Sequence, residues 1–236
     1  MFHNLKQLYG RKLGATDGDI GQVKDFYFDD KTWMVRYLVV DTGSWLTGRE
    51  VLLTPHAFAT PSFGPVADEQ PLAVNLTRKQ IEGSPSIDTH RPVSRQYEED
   101  YYRYYGWPTY WDGFGMGGAA MAPAIVPPPR PESHHHHGHN QRDDLHLRST
   151  KSVAGYSIHA SNGEIGSVSG FMLDSKSWAI REIVAETGHW FAGKPILIRS
   201  VDVERISYED SSVFVNHTKE TLAGTIKDQV AHAGAS

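Results

Sequence analysis

An internal repeat limits what this chain can fold into more than any other feature of its sequence. Residues 15–53 and 160–198 align without a gap at an offset of 145. Self-similarity at a fixed offset indicates duplicated structural units, so we predict two copies of one small domain. The matched residues are mainly glycines, tryptophans and aliphatic residues: Gly18/Gly163, Ile20/Ile165, Gly21/Gly166, Val23/Val168, Phe26/Phe171, Trp33/Trp178, Arg36/Arg181, Thr42/Thr187, Trp45/Trp190 and Gly48/Gly193.

Each repeat has the pattern of short β-strands. The dipeptides Asp17-Gly18 and Asn162-Gly163 are typical of hairpin turns, and runs rich in Val, Ile, Phe and Tyr follow them. Several short strands with glycines at the corners favour a small closed or nearly closed barrel. We therefore predict an all-β fold with two small β-barrels, at residues 1–83 and 150–223, and a frayed tail at 224–236. Because one such unit buries little apolar surface, barrel–barrel packing or a homodimer is expected.

The segment between the repeats differs in composition. Residues 84–150 hold 8 of the 13 prolines, 7 of the 13 histidines and 6 of the 11 tyrosines. We find no sustained helical or strand periodicity in it, so we predict a flexible Tyr/Pro/His-rich linker over residues 84–149. Its acidic, tyrosine-rich part, residues 97–105, is interpreted either as a docking segment for a partner or as a spacer.

Composition excludes several classes of protein. The chain has no cysteine, which excludes disulfides, thiolate metal sites and a cysteine nucleophile. A formal net charge of -5 argues against general nucleic-acid binding. The most apolar stretch, residues 115–126, is too short for a transmembrane segment, and the N-terminus lacks the apolar part of a secretory signal. We expect a cytoplasmic protein, with peripheral membrane association left open.

The repeated residues resemble the PRC-barrel family. The first repeat is the closer match, with Thr42-Gly43-Ser44-Trp45-Leu46-Thr47-Gly48-Arg49 before an apolar strand. The family includes the cytoplasmic barrel of the photosynthetic reaction-centre H subunit and a domain of the ribosome-maturation protein RimM. The resemblance implies a structural or adaptor module without shared catalytic residues. It suggests a binding or scaffold protein at the inner face of a membrane-associated, photosynthetic-type complex, or alternatively a RimM-like RNA- or ribosome-associated factor.

Two sets of residues are candidates for binding. The glycine-flanked loops hold Trp45 with Leu46 and Trp190 with Phe191; they are predicted either to contact an unidentified protein partner or to pack on their own barrel. The second set is a histidine tract suited to weak zinc or nickel binding, although a polar spacer explains it as well. Its members are His134, His135, His136, His137 and His139.

No enzyme motif is found. The sequence lacks GxSxG, HExxH and the phosphate-binding GxxxxGK[ST] pattern, and no nucleophile–base pair is matched between the repeats. We therefore predict no catalytic residue, no required cofactor and no enzymatic activity. The repeated arginines Arg36 and Arg181 are expected on a solvent face or paired with a carboxylate, with anion binding as the alternative.

Overall fold

The computed structural model describes residues 1–58, 70–85, 95–107, 146–188, 193 and 195–222, and these form two β-sheets with three short α-helices and three 3-10 helices. The predicted all-β class is confirmed. The strands are β1 (Phe2–Asn4), β2 (Lys12–Ala15), β3 (Gly18–Asp29), β4 (Val35–Asp41), β5 (Glu50–Leu53), β6 (Leu72–Ala73), β7 (Leu147–Ser149), β8 (Ser157–Ala160), β9 (Gly163–Asp174), β10 (Ala179–Thr187), β11 (Pro195–Arg199), β12 (Val203–Ser207) and β13 (Ser212–Val215). The helices are α1 (Arg78–Glu82), α2 (Arg95–Tyr105) and α3 (Thr150–Val153).

The two sheets share one strand order. The first runs β5-β4-β3-β2-β6 and the second β11-β10-β9-β8-β13-β12. In each, the last strand of the repeat pairs in parallel with the first, β6 with β2 and β13 with β8. A bridge between Phe58 and Val74 in the first sheet corresponds to the β12–β13 pairing in the second.

The sheets are open along one side. Among the residues that the structure describes, no pairing joins β5 to β6 or β11 to β12. A short 3-10 helix connects the two edges instead, at Pro55–Ala57 in the first repeat and Ser200–Asp202 in the second. Each predicted barrel is thus observed as an open sheet.

One repeated glycine is required by a close backbone approach. Gly21 and Gly166 have φ of 128° and 158°, values that L side chains rarely adopt. A Cβ at either position would lie 2.0 Å from a backbone oxygen, that of Asp41 or Glu186 respectively. Glycine therefore lets β3 and β9 lie close to the ends of β4 and β10 at these positions.

The segment that precedes each repeat pairs with the opposite sheet. β1 lies antiparallel to β9, with Phe2 opposite Asp174, and β7 lies antiparallel to β3, with Leu147 opposite Asp29. These two pairings are related by the repeat offset, so the exchange is reciprocal. The predicted domain ranges 1–83 and 150–223 do not contain this exchange, because β1 belongs to the second sheet and β7 lies inside the predicted linker.

Two repeated tryptophans join the repeats. The backbone N–H of Val35 donates to the Trp178 oxygen and that of Ile180 to the Trp33 oxygen, both at 2.8 Å. Trp33 and Trp178 are buried and have φ of 59° and 57°, a strained conformation for such large side chains. One hydrophobic core includes residues of both repeats, so the expected barrel–barrel packing is found as close contact between the two sheets.

Candidate interaction surface

Helix α2 packs on the outer face of the first sheet. The outward-facing side chains Tyr37, Val39 and Leu52 are fully buried there against Tyr101 and Tyr102 of the helix. The rings of Tyr37 and Tyr101 meet edge to face at 5.8 Å, a favoured geometry for aromatic pairs. The expected flexible linker is wrong for residues 95–107, because this helix has a sheet face to cover.

A buried ion pair fixes α2 in position. Oε1 of Glu98 accepts hydrogen bonds from Nη2 of Arg36 at 2.7 Å and from the Tyr37 hydroxyl at 2.9 Å. Glu98 is completely buried and Arg36 nearly so. Burial, together with the nearby Glu98 carboxylate, raises the pKa of Tyr37 well above its usual value, so Tyr37 remains a neutral donor. The expectation that Arg36 pairs with a carboxylate is confirmed.

Two tyrosines of α2 donate their hydroxyls to backbone oxygens of the first repeat, and a third packs on an aromatic ring. Tyr101 donates to the Leu52 oxygen at 2.6 Å, and Tyr104 donates to the Gln80 oxygen at 3.0 Å. Tyr105 stacks on Trp107 with 4.4 Å between ring centroids. These contacts bury Tyr101 and Tyr102 of the predicted docking segment, whereas Arg103 and Tyr104 remain exposed.

The sequence carried a signal for this helix. Glu98, Tyr101, Tyr102 and Tyr105 recur at spacings of three, four and seven residues, which is the pattern of one helical face. The segment is short and contains many polar residues, so its composition obscured the period. The buried Glu98 was not among the predicted site residues.

The equivalent face of the second sheet is exposed. Five apolar or aromatic residues of the first sheet pack against α2 or Trp107. The residues of the second repeat at the corresponding positions form a group that we call the open face. Leu197 is 38% exposed, Phe2 59% and Val201 75%, while Met172 and Val184 are partly exposed. The pairs are Tyr27/Met172, Val39/Val184, Leu52/Leu197, His56/Val201 and Leu147/Phe2.

A carboxylate lies within the open face. Glu182 occupies the position that corresponds to Tyr37 and stands opposite Met172 and Arg199 across the strands. Arg199 directs Nε and Nη2 to Asp202 at 2.8 and 2.9 Å, so its guanidinium is engaged elsewhere. Burial raises the pKa of Glu182 above its usual value.

The predicted tryptophan loop of the first repeat packs on its own domain. Trp45 and Leu46 are half-buried against the hydrophobic core, and the Arg78 guanidinium lies 4.7 Å from the Trp45 ring centroid, a cation–π distance. This placement agrees with the packing interpretation and leaves the proposed contact with a partner as a prediction. Trp190 and Phe191 lie outside the described residues.

The histidine tract, His134–His137 with His139, also lies outside the described residues. Within the described part of the chain, no group of three or more His, Asp or Glu residues could hold a metal ion. Weak zinc or nickel binding by the tract stays a prediction.

A polar pocket of about 350 Å³ lies where β7 and α3 meet the first sheet. Its buried carboxylate, Asp25, accepts hydrogen bonds from Ser149 and Thr150 and from the Lys151 backbone N–H. Burial raises the pKa of Asp25, although these hydrogen bonds oppose the shift. Asp25 thus holds the exchanged segment in place, which is a structural role.

None of the helices in the described ranges is long and apolar enough to cross a membrane. No curated protein matches the chain. A family model, that of the PRC-barrel domain, matches residues 3–59. This range includes the repeated glycines, the buried strands β3 and β4 and the Trp45 loop. Over residues 3–59, the chain is therefore similar to a PRC-barrel domain.

Proposed function

We propose that the chain is a non-enzymatic scaffold protein that binds a protein partner through the open face of its second repeat. One observation carries the proposal: the outer face that α2 buries in the first repeat is exposed in the second. The same strand order and the same repeat positions produce both faces. What differs is the covering element.

The chemistry of the open face supports a role in binding. Contiguous exposed apolar side chains on a folded protein often mark an interaction site. In the first repeat, the corresponding Leu52 and Val39 are 1% exposed beneath α2. Burying the equivalent Leu197 and Val184 under a partner would remove a similar apolar surface from water. A covering partner would therefore complete in the second repeat the packing that the first repeat has within the chain.

The buried carboxylates support the non-enzymatic part of the proposal. Glu98 neutralises Arg36 beneath α2. Asp25 accepts a hydrogen bond from the Thr150 hydroxyl in the first turn of α3. Both are accounted for by packing, so neither requires a catalytic role. Catalysis by a base or nucleophile would instead need a group held toward a bound reactant.

The cellular setting is proposed from the family resemblance. A PRC-barrel module in the cytoplasm, at the inner face of a membrane-associated complex, would use the open face to contact a component of that complex. The RimM-like alternative predicts an RNA or ribosomal partner on the same chain. The two settings therefore predict different molecules in contact with Val201 and Leu197: a component of the membrane-associated complex in one, and RNA or a ribosomal component in the other.

Affinity capture from native cells with matched variants tests the proposal. Val201→Asp and Leu197→Asp each place a charge on the open face. Tyr208→Asp places one at a position that is 67% exposed, in the turn between β12 and β13. We expect the Tyr208 variant to retain the partners of the wild-type chain and both open-face variants to lose them, with unchanged circular dichroism. Retention of the same partners by all three folded variants would contradict the proposal.

A further inference from the structure

The open face carries a charge that restricts what can cover it, an argument that rests on the function proposed above. Glu182 is half-buried among Met172, Val184 and Leu197. Within the described part of the chain, its carboxylate has no hydrogen bond and no ion pair. Its cross-strand neighbour Arg199 forms a bidentate hydrogen-bonded ion pair with Asp202 and none with Glu182. A carboxylate buried further without a cation would strongly disfavour binding.

The first repeat shows how the chain resolves the same situation. There the sheet supplies the cation Arg36 and the covering helix supplies the carboxylate Glu98, with 2.7 Å between the paired atoms. Around this pair, the helix presents an aromatic surface to the sheet. The outer face of the first sheet therefore accepts an amphipathic helix that places one charge opposite the charge of the sheet.

We propose that the open face binds an amphipathic helix of a protein partner that carries one lysine or arginine among its apolar residues, with that cation paired to Glu182. The second repeat keeps a cation at the position of Arg36, the exposed Arg181, and adds the carboxylate of Glu182 where the first sheet has the neutral Tyr37. This added negative charge is the one that a covering helix has to match. The length of α2, 11 residues, sets the scale: a helix of that length spans about 16 Å.

A second copy of the chain fits this face less well. Twofold packing through the open faces would bring the Glu182 carboxylates of both copies into one apolar contact. Like charges brought together with loss of water are unfavourable. A helix with a complementary cation avoids this cost and still buries Leu197 and Val184.

Two matched peptides can test the inference against the full chain. Both carry residues 95–107 with Arg103→Lys, held helical by a lactam between the Asp100 carboxyl and the amine at position 103, since both positions are exposed in α2. One keeps Glu98 and the other has Glu98→Lys. Binding of each fluorescent peptide is measured by anisotropy with the wild-type chain and with the Glu182→Lys, Leu197→Asp and Tyr208→Asp variants.

We expect the Glu98→Lys peptide to bind saturably, about tenfold more tightly than its Glu98 counterpart. Leu197→Asp should abolish this binding, Tyr208→Asp should preserve it, and Glu182→Lys should reverse the preference between the peptides. Loss of binding in Leu197→Asp without any preference between the peptides would overturn the cation requirement and leave the open face as a binding surface. Two results would overturn the helix as occupant: no saturable binding by the Glu98→Lys peptide, or a dimer of the chain that Leu197→Asp dissociates. The affinity capture from native cells tests the binding function separately.

Discussion

Arg36 and Arg181 show how one repeated residue takes two structural roles. Arg36 is 5% exposed and bonded to Glu98, whereas Arg181 is exposed, with Nη2 3.5 Å from the Ser177 hydroxyl oxygen. The difference comes from α2, which covers one arginine and not the other. The repeat predicts that both positions carry a cation. It does not predict α2, the helix that covers Arg36, because this helix lies outside the repeat.

Replacing the two arginines separately tests this difference. Arg36→Met leaves the buried Glu98 carboxylate without its cation, so we expect the free energy of unfolding to fall by about 3 kcal/mol. Arg181→Met, the matched control, should change it by less than about 0.5 kcal/mol. Chemical denaturation measures both. Equal effects of the two substitutions would contradict a specific role for the buried pair.

Asp25 is the second residue with a distinct electrostatic prediction. Because burial raises its pKa in the folded state, the folded chain retains the Asp25 proton to higher pH than the unfolded chain does. The contribution of Asp25 to stability is therefore complete below the unfolded pKa and is lost as pH rises through the folded pKa. Asp25→Asn does not titrate and serves as the reference.

We expect the stability of the wild-type chain, relative to Asp25→Asn, to decrease as pH rises from the usual aspartate pKa through the raised pKa of the folded state. Denaturant unfolding at a series of pH values measures the difference. A relative stability that increases over this range would show that the hydrogen bonds from Ser149 and Thr150 outweigh burial.

At the level of the elements, the strands followed from sequence and the exchange did not. Turn dipeptides and runs rich in Val, Ile, Phe and Tyr predicted β3, β4, β9 and β10, because those patterns report local geometry. The three-residue strands β1 and β7 are too short to show a period. Their partners lie some 120 to 170 residues away in the chain, so only the fold reveals the pairing.

Removal of Phe2–Asn4 tests the exchange. Although these residues precede the first repeat, their ladder partners are Met172, Leu173 and Asp174 of β9. We expect hydrogen exchange to accelerate at the end of β9 and to remain unchanged in β3, since edge pairing protects backbone amides. Faster exchange confined to β3 and β4 would contradict the observed pairing.

For the whole molecule, the duplication explains the architecture and its asymmetry explains the proposed function. Two repeats share a strand order and exchange their leading strands, which gives one hydrophobic core. The sequence predicted two matching units because the glycines and tryptophans recur. It did not predict the covered and uncovered faces, because Glu98 and the tyrosines of α2 belong to no repeat. The proposed binding surface therefore depends on α2, which covers the first repeat and has no counterpart on the second among the residues that the structure describes.

Site-specific photocrosslinking in native cells tests the binding claim most directly. A benzophenone side chain placed at position 201 lies on the open face, and one placed at 208 is comparably exposed away from it, at 75% and 67% for the native residues. We predict a discrete crosslinked protein from position 201, and none of that mass from position 208. The absence of any product specific to position 201, from a folded chain at its native level, would contradict the claim that the second repeat presents a partner-binding face.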